Sequence, residues 1–339
     1  MPDQINDTER RIQPTVERES GERPAGYSMI HQGNSTNALA RITKAEARED
    51  PISGKSIITV KGLSVTLPAE LLPHLKTSTL QLLDILAITL TQSNKATPTV
   101  TLTLDDYMHR RGLSDRKEAK KQIEADLKVL RGTFITFDDR DPETGKPVTY
   151  GQINISDSWI WQDRQRTAVK YTFGATFFNV LRSYPTMPYA PQLLTISNKK
   201  HPYSFRLGRF LSEHKNMNIE KKNEDLIKVE TLLKAAKFPT AEEVKKIDRA
   251  YSRRIIEPFE RDMDALGDMF SWEYCHSGGA VLTDAEREDF QYSLFIELLV
   301  KITWKDYPEQ QERRKQIIAA QRRKNRAAPR KRKPAAGKG

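Results

Sequence analysis

The order in which helical and strand patterns follow one another constrains this chain most, because the same order occurs twice. In each half an apolar helix is followed by a short strand, two further helices and then alternating strands. Three prolines, Pro185, Pro188 and Pro191, separate the two series and predict a linker. The pattern therefore predicts two units of related α+β construction.

The first unit begins near Ser56 with the strand pair IITVKGLSVTL, followed by a helix opened by Ser78 or Thr79. That helix has too many apolar residues for one face, so we expect most of its circumference to be buried. A strand (TVTLTL), a short helix at 105–111, a turn at Gly112 and a second helix at about 115–131 follow, with Asp105 and Ser114 as expected N-caps. The strands GTFITF, VTYGQINI and AVKYTF then form a predicted hairpin whose tip is the turn at 138–147.

The second unit repeats this order. It consists of a helix (YSFRLGRFLSEH), a strand and helix (LIKVETLLKAA), a long helix from Thr240 to about Leu266, a strand (MFSWEYC) and a long strand (SLFIELLVKITW). Thr240 and Glu243 have the spacing of a capping box. Pro258 lies inside the long helix and predicts a kink or a break.

This element order is that of a winged helix, in which the second helix of a helix-turn-helix enters the major groove of DNA. We therefore expect an α+β protein with two tandem winged-helix domains. The predicted divisions are a disordered segment at 1–55, domain 1 at 56–190, domain 2 at 191–305 and a basic tail at 306–339.

Charge is distributed unevenly. The net charge is +11, and residues 313–339 hold twelve Lys and Arg and no acid, which leaves about −1 for residues 1–312. The tail is expected to attract phosphate without sequence preference, or else to be a solubilising extension. Its patch PRKRKP would also suit nuclear import in a eukaryotic cell. The tail residues predicted to bind DNA are Arg322, Arg323, Arg330, Lys331 and Arg332.

The long helix of the second unit is the main candidate DNA reader. Its apolar residues recur at helical spacing, which predicts one buried face: Val244, Ile247, Tyr251, Ile255, Phe259 and Met263. The remaining surface carries five basic residues: Lys245, Lys246, Arg249, Arg253 and Arg254. Arginine can bind guanine or phosphate, although an ordinary solvated face would look similar. The loop expected to form this unit's wing is acidic and argues against contact there, through Asp284, Glu286, Glu288 and Asp289.

The corresponding helix of the first unit has a core stripe of Ala119, Ile123, Leu127 and Leu130. Its predicted DNA-contacting residues are Lys117, Lys120, Lys121 and Lys128, and Glu124 lies among them. The turn at 138–147 carries several acids, which phosphate would repel. We therefore expect auxiliary DNA contact or protein contact from this unit.

Several enzyme classes lack their motifs here. No His-x-His pair, His-x-x-Arg pair or phosphate-binding glycine loop occurs. The aspartate pairs at 105–106 and 138–139 are explained by capping at a helix start and by solvation in a turn. Cys275 is the single cysteine and lies on an apolar strand, which predicts a core position. We expect no catalysis, no cofactor, no bound metal, no membrane partner and a cytoplasmic location.

Four segments carry a resemblance to a known family: TLQLLDILAITL, LRGTFITF, YSFRLGRFLSEH and YSRRIIEPFERDMDAL. Over residues 70–305 the sequence resembles plasmid replication initiators that bind repeated origin sequences (iterons) and contain two winged-helix domains. The resemblance implies that domain 2 reads part of an iteron through Arg249, Arg253 and Arg254. It also implies that domain 1 binds DNA more weakly and mediates a homodimer off DNA.

The same resemblance implies origin opening by DNA bending, with recruitment of the host replication initiator and the replicative helicase. The polar amino terminus and the basic tail are not needed by that pattern, so a plasmid and an integrated element remain open. A winged-helix transcriptional repressor that regulates its own promoter is the alternative. Directly repeated target sites would favour the initiator, and an inverted repeat would favour the repressor.

Overall fold

The structure is a computed structural model of the 339-residue chain. The residues it describes are 28–31, 34–50, 54–60, 63–93, 96–140, 147–184, 186–219, 221, 224–283, 286, 291–306, 311–312, 314–316 and 318–319.

The chain contains both helices and antiparallel sheets, which agrees with the predicted α+β class. The helices are α1 (Asn34–Leu39), α2 (Thr77–Ser93), α3 (Leu104–Arg111), α4 (Arg116–Gly132), α5 (Ala175–Ser183), α6 (Gln192–Thr195), α7 (Ser204–Met217), α8 (Val229–Ala236), α9 (Ala241–Ile247), α10 (Glu257–Asp264) and α11 (Tyr292–Glu297). The strands are β1 (Ser28–His31), β2 (Arg48–Glu49), β3 (Lys55–Val60), β4 (Leu63–Pro68), β5 (Thr99–Thr103), β6 (Phe134–Arg140), β7 (Pro147–Asn154), β8 (Ser156–Trp161), β9 (Ala168–Phe173), β10 (Thr186–Tyr189), β11 (Leu226–Lys228), β12 (Phe270–Cys275) and β13 (Leu299–Trp304).

The first unit consists of α2, β5, α3, α4, β8 and β9. Its three strands are antiparallel in the order β5-β9-β8, and Tyr171 of β9 lies between Val100 and Trp159. The predicted inward face of β9 is confirmed, because Val169, Tyr171 and Phe173 are buried. Helix α2 is buried around most of its circumference, also as predicted.

The second unit repeats both the element order and the strand order. It consists of α7, β11, α8, α9 with α10, β12 and β13, and its strands are antiparallel in the order β11-β13-β12. Val300 of β13 lies between Ile227 and Tyr274, and all three are buried. The predicted strand SLFIELLVKITW is wrong in its first half, since α11 occupies Tyr292–Glu297 before β13 begins.

A further five-stranded sheet, in the order β2-β3-β4-β6-β7, corrects the predicted hairpin of the first unit. GTFITF and VTYGQINI belong to β6 and β7, which pair with each other. β6 also pairs with β4, and neither strand pairs with AVKYTF, which pairs with β5 and β8. Four buried apolar residues align across this sheet and explain the pairing: Ile58, Val65, Ile135 and Ile153. The predicted turn at 138–147 therefore joins strands of a different sheet, and its residues 141–146 lie outside the described part.

The prediction of disorder for residues 1–55 is wrong for much of 28–50. Strand β1 pairs antiparallel with β10, with Ile30 opposite Met187. Ile30, Leu39 and Ile42 are buried in the core, so a few apolar residues anchor a segment whose average composition is polar. Residues 1–27 lie outside the described part of the chain.

The proline-marked linker is also packed rather than open. Tyr189 ends β10 and is buried, and Leu193 and Leu194 of α6 are fully buried. The Gln81 side chain donates to the Leu193 carbonyl (2.8 Å), and Arg111 donates to the Leu194 carbonyl (2.7 Å). These bonds hold α6 against α2 and α3 of the first unit, while α6 also contacts α7 of the second.

Candidate nucleic-acid interface

Local hydrogen bonds determine where the predicted long helix of the second unit begins and where it breaks. The capping box is confirmed: Glu243 N donates to Thr240 Oγ1 (3.3 Å), and Thr240 N donates to Glu243 Oε2 (2.7 Å). Helix α9 ends at Ile247, because Asp248 leaves helical geometry and Arg249 has a left-handed φ of 55°. A π-helical turn at Ser252–Ile256 then leads into α10. The expected interruption is present, but it lies upstream of Pro258, which occupies the first turn of α10.

The interruption changes which side chains face the core. Val244, Ile255, Phe259 and Met263 are buried as predicted. Ile247 is not, since 62% of its surface is exposed. The prediction of one continuous buried stripe is therefore wrong at Ile247, because the break after this residue ends the helical register.

The predicted basic residues of the second unit lie together at this break. Lys245, Lys246, Arg249 and Arg253 are exposed, and Arg254 is half-buried. In the part of the chain that the structure describes, no ion pair involves Lys245, Lys246 or Arg249. Lysine and arginine side chains that face solvent in this way can neutralise phosphates.

Asp248 binds the other two arginines of this cluster. Its carboxylate accepts from Arg253 Nη2 (2.7 Å) and from Arg254 Nε and Nη2 (both 2.8 Å). The hydrogen bonds from Arg254 and then from the Ala250 amide hold the pKa of Asp248 well below its usual range. The same contact raises the pKa of Arg254.

An aromatic pair fixes the π turn against the segment before β13. The rings of Tyr251 and Tyr292 stack with centroids 4.7 Å apart and planes 20° apart. Burial, followed by the neighbouring Tyr251, raises the pKa of Tyr292. Helix α11 is thereby attached to the segment that presents Arg253 and Arg254.

The predicted acidic wing of this unit is described only in part. Glu286 accepts from Thr283 N and Oγ1, both at 2.8 Å, and lies 3.1 Å from His276 Nε2. Asp284, Glu288 and Asp289 lie outside the described residues.

In the first unit, α4 begins one residue later than predicted. Asp115, rather than Ser114, is its N-cap and accepts from Lys117 N (2.8 Å) and Glu118 N (3.0 Å). The cap of α3 is likewise Thr103 rather than Asp105. Gly112 has a φ of 61° between the two helices, so the predicted glycine turn is confirmed.

The two predicted faces of α4 are present. Ala119, Ile123, Leu127 and Leu130 are buried. On the other side, Lys117, Lys121 and Lys128 are exposed and Lys120 is half-buried. This face is of mixed charge, because Glu124 pairs with Lys128 (3.6 Å) and with Arg166 (2.8 Å).

The turn that lies beside α4 is basic, and sequence reasoning missed it. It joins β8 to β9 and carries Arg164 and Arg166. Lys120 Nζ donates to the Gln165 carbonyl (2.5 Å), which holds the turn against α4. The expectation of an acidic turn at this helix is therefore wrong, since it came from the β6–β7 hairpin. The signal that could have identified the correct pair of strands was the strand-favouring run WIW, which only the short polar stretch QDRQRT separates from AVKYTF.

Asp163 gives this turn its shape. Its carboxylate accepts from Thr167 N (3.0 Å) and Thr167 Oγ1 (2.6 Å). The Thr167 hydroxyl is the main reason that the pKa of Asp163 is lowered. Arg166 has a left-handed φ of 59°, which completes the reversal between the strands.

The remaining predictions concern the tail, the cysteine and the membrane. Arg322, Arg323, Arg330, Lys331 and Arg332 lie outside the described residues. Cys275 is buried, as predicted. Among the described residues, no cluster of three metal-ligating side chains occurs, and no helix is long and apolar enough to cross a membrane.

Fold and site together define a class of molecule: an α+β chain with two units of the same element order, each with exposed lysine and arginine side chains at its third helical segment. No family model matches this chain, and no curated protein matches it. Two solved structures of domains 2 and 3 of RctB are similar to it. One, a selenomethionine derivative, has 15% identity and a TM-score of 0.42 and covers 79% of this chain and 98% of that chain. The other has 13% identity and a TM-score of 0.41 and covers 79% and 96%, respectively.

Proposed function

We propose that this chain is a sequence-specific double-stranded DNA-binding protein whose two units are winged-helix domains. The order of helices and the strand orders β5-β9-β8 and β11-β13-β12 support that proposal. In such a fold the helix before the second strand enters the major groove. Here those elements are α4 in the first unit and α9 with its π turn in the second.

The observation that carries the proposal is the basic cluster at the end of α9. Lys245, Lys246, Arg249 and Arg253 are exposed at the position of a recognition helix. Residues 1–312 have a net charge of about −1, so overall charge does not explain this concentration of cations. Arginine can bind guanine through two hydrogen bonds, and lysine neutralises phosphate, so the cluster suits both base reading and backbone contact.

The first unit has the auxiliary part in this proposal. Lys117, Lys121 and Lys128 on α4 and Arg164 on the β8–β9 turn form a second, weaker basic surface, in which Glu124 is also present. The negative charge of Glu124 offsets part of the positive charge that this surface presents to phosphate.

We propose that the boundary between the two domains lies near residue 190.

We further propose that the chain initiates replication of a plasmid or similar mobile element by binding directly repeated origin sites. It would be a homodimer off DNA and would recruit the host replication initiator and the replicative helicase. The chain itself would catalyse no reaction and need no cofactor. This part follows the resemblance to iteron-binding initiators.

Footprinting on DNA that flanks the protein's own coding sequence tests both the proposed sequence-specific binding and the proposed role in replication. Purified full-length protein is used at moderate salt with unrelated competitor DNA. Regular protection over direct repeats supports the initiator. A single protected inverted repeat at the promoter would indicate a transcriptional repressor, and an absence of protection would contradict DNA reading by both helices.

The double substitution Arg249→Ala and Arg253→Ala links the footprint to the cluster. Both side chains are exposed, so we expect the fold to persist while specific protection is lost. The matched control is Lys199→Ala with Lys200→Ala, which removes two exposed cations from the loop before α7. Loss of the circular-dichroism signal in the arginine variant, or equal loss of protection in the control, would contradict the assignment.

A further inference from the structure

Asp248 is the one acid between residues 245 and 256, where five basic residues stand. Its carboxylate accepts three hydrogen bonds from Arg253 and Arg254, at 2.7 to 2.8 Å. The Oδ1 atom also accepts from Ala250 N at 3.1 Å, across the residue with left-handed φ. One side chain therefore closes the backbone turn and holds both arginines.

The three charged side chains differ in the fraction of their surface that is exposed to solvent. The side chain of Arg253 is 69% exposed, that of Arg254 is 36% exposed and that of Asp248 is 28% exposed. The Asp248 side chain is thus less exposed than that of Arg253, and among the described contacts it engages only the Nη2 of Arg253. The outer part of this guanidinium stays accessible to a ligand.

An acid at this position has two opposite effects on DNA binding. It repels phosphate and cancels part of the charge of its partners, so it weakens attraction to any duplex. It also holds two long side chains in one arrangement, so less conformational entropy is lost when they bind. The first effect is independent of base sequence, whereas the second favours the site that fits the arrangement.

We propose that Asp248 is a positioning residue that sets the DNA sequence specificity of this chain, an inference that rests on the proposed function. It holds Arg253 and Arg254 in the geometry that fits the target site. At the same time its charge lowers the affinity for unrelated duplex DNA. The ligand is the major groove edge and backbone of a double-stranded target.

Asp248→Asn in the full chain tests this inference. The amide has the same shape and keeps an oxygen for Ala250 N, but it loses the charge. Affinities are measured over a range of salt concentrations for a duplex selected by the wild type from random sequences, and for an unrelated duplex of equal length. We expect the affinity for unrelated DNA to rise several-fold and the slope of log affinity against log salt concentration to steepen by about one. The specificity ratio, which is the affinity for the selected duplex divided by that for the unrelated duplex, should fall about tenfold.

Glu257→Gln is the matched control. This exposed acid makes the same change in charge, and it accepts from Ser252 Oγ (3.0 Å) rather than from an arginine. If it lowers the ratio as much as Asp248→Asn does, net charge alone sets the ratio and the inference is overturned. An unchanged ratio in Asp248→Asn overturns it as well.

Two further results distinguish positioning of the arginines by Asp248 from other causes of a changed ratio. In an Arg253→Gln, Arg254→Gln background, Asp248→Asn should no longer change the ratio, because its partners are absent. Unfolding of Asp248→Asn would abolish binding to both duplexes, which is opposite to the expected gain on unrelated DNA and would overturn the inference. If the wild type selects no sequence at all, the proposed function itself fails.

Discussion

Asp126 lies on the inner side of α4, among residues that the helical pattern assigns to the core. Its Oδ1 atom accepts from Thr79 Oγ1 (2.7 Å) and from Ser78 Oγ (3.1 Å) at the start of α2. Burial raises the pKa of this carboxyl to about 6, although the two hydroxyls act in the opposite direction. A polar contact thus fixes the angle between α4 and the most buried helix of the first unit.

We predict that Asp126→Asn stabilises the protein more at pH 8 than at pH 5. The raised pKa means that the folded state retains a proton that the unfolded chain has lost, so this contribution to stability is lost as pH rises through about 6. Asparagine stays neutral and still accepts a hydrogen bond. The free energies of unfolding of variant and wild type, measured with urea, should differ by about 1 kcal/mol more at pH 8 than at pH 5. An equal difference at both pH values would contradict a raised pKa.

At the level of elements, periodicity predicted which helices and strands exist better than it predicted their ends and pairing. The capping box at Thr240 and the stripe on α4 were predictable because each depends on residues three or four apart. The position of Ile247 was not, since it depends on a backbone break at Asp248 and Arg249 that no proline or glycine marks. Side-chain hydrogen bonds within the turn stabilise that break.

The prediction of strand pairing was wrong for a related reason. β6 and β9 both alternate and both could form the hairpin beside α4, so local sequence does not distinguish them. The choice depends on long-range partners, which are β4 for β6 and β5 for β9. This pairing error misplaced the candidate site, because the correct turn carries Arg164 and Arg166 with a single acid, Asp163.

The β8–β9 turn is therefore predicted to contribute to DNA affinity. Arg164 is exposed, and in the described part of the chain it forms no ion pair, unlike Arg166. Arg164→Gln should reduce affinity for all duplexes a few-fold and lower the salt slope by about one, as expected for a single phosphate contact. Titration of both proteins against one labelled duplex at several salt concentrations measures this. Lys199→Gln, which removes an exposed cation elsewhere, is the control, and equal effects of the two substitutions would argue against a role for the turn.

For the whole molecule, a buried polar group joins the two units. Tyr189 donates to Asp84 Oδ2 (2.9 Å), and Arg209 Nε of α7 lies 3.4 Å from the same atom. All three side chains are buried, and burial raises the pKa of Asp84 against the opposing effect of Arg209. Asp84 belongs to the first unit and Arg209 to the second, so this contact fixes one unit against the other.

Arg209→Met should therefore destabilise the chain by about 3–5 kcal/mol, because it leaves the Asp84 carboxylate buried without its cation. Adding Asp84→Asn should restore a large part of that loss, since the uncompensated charge is then removed. Urea unfolding followed by tryptophan fluorescence measures both variants. If the double variant is as unstable as Arg209→Met alone, packing rather than charge holds the junction.

The charge of the molecule is divided between a nearly neutral body and a strongly basic tail. Residues 313–339 carry twelve cations against a net charge of about −1 for the rest of the chain. DNA sequence specificity and general affinity for duplex DNA are therefore expected to depend on different parts of the chain. The cluster at the end of α9 would choose the site, and the tail would attract any duplex by releasing counterions.

A variant that ends at residue 312 should accordingly bind all DNA more weakly without losing its choice of site. If about half of the twelve tail cations contact phosphates, the slope of log affinity against log salt should become shallower by about 5. The pattern of protected bases should be unchanged, because this variant keeps every body residue that is proposed to read bases. Replacement of the four basic residues at 330–333 by glutamine should give an intermediate slope. An unchanged slope would mean that the tail does not contact DNA, whereas an altered pattern of protection would mean that it takes part in reading the sequence.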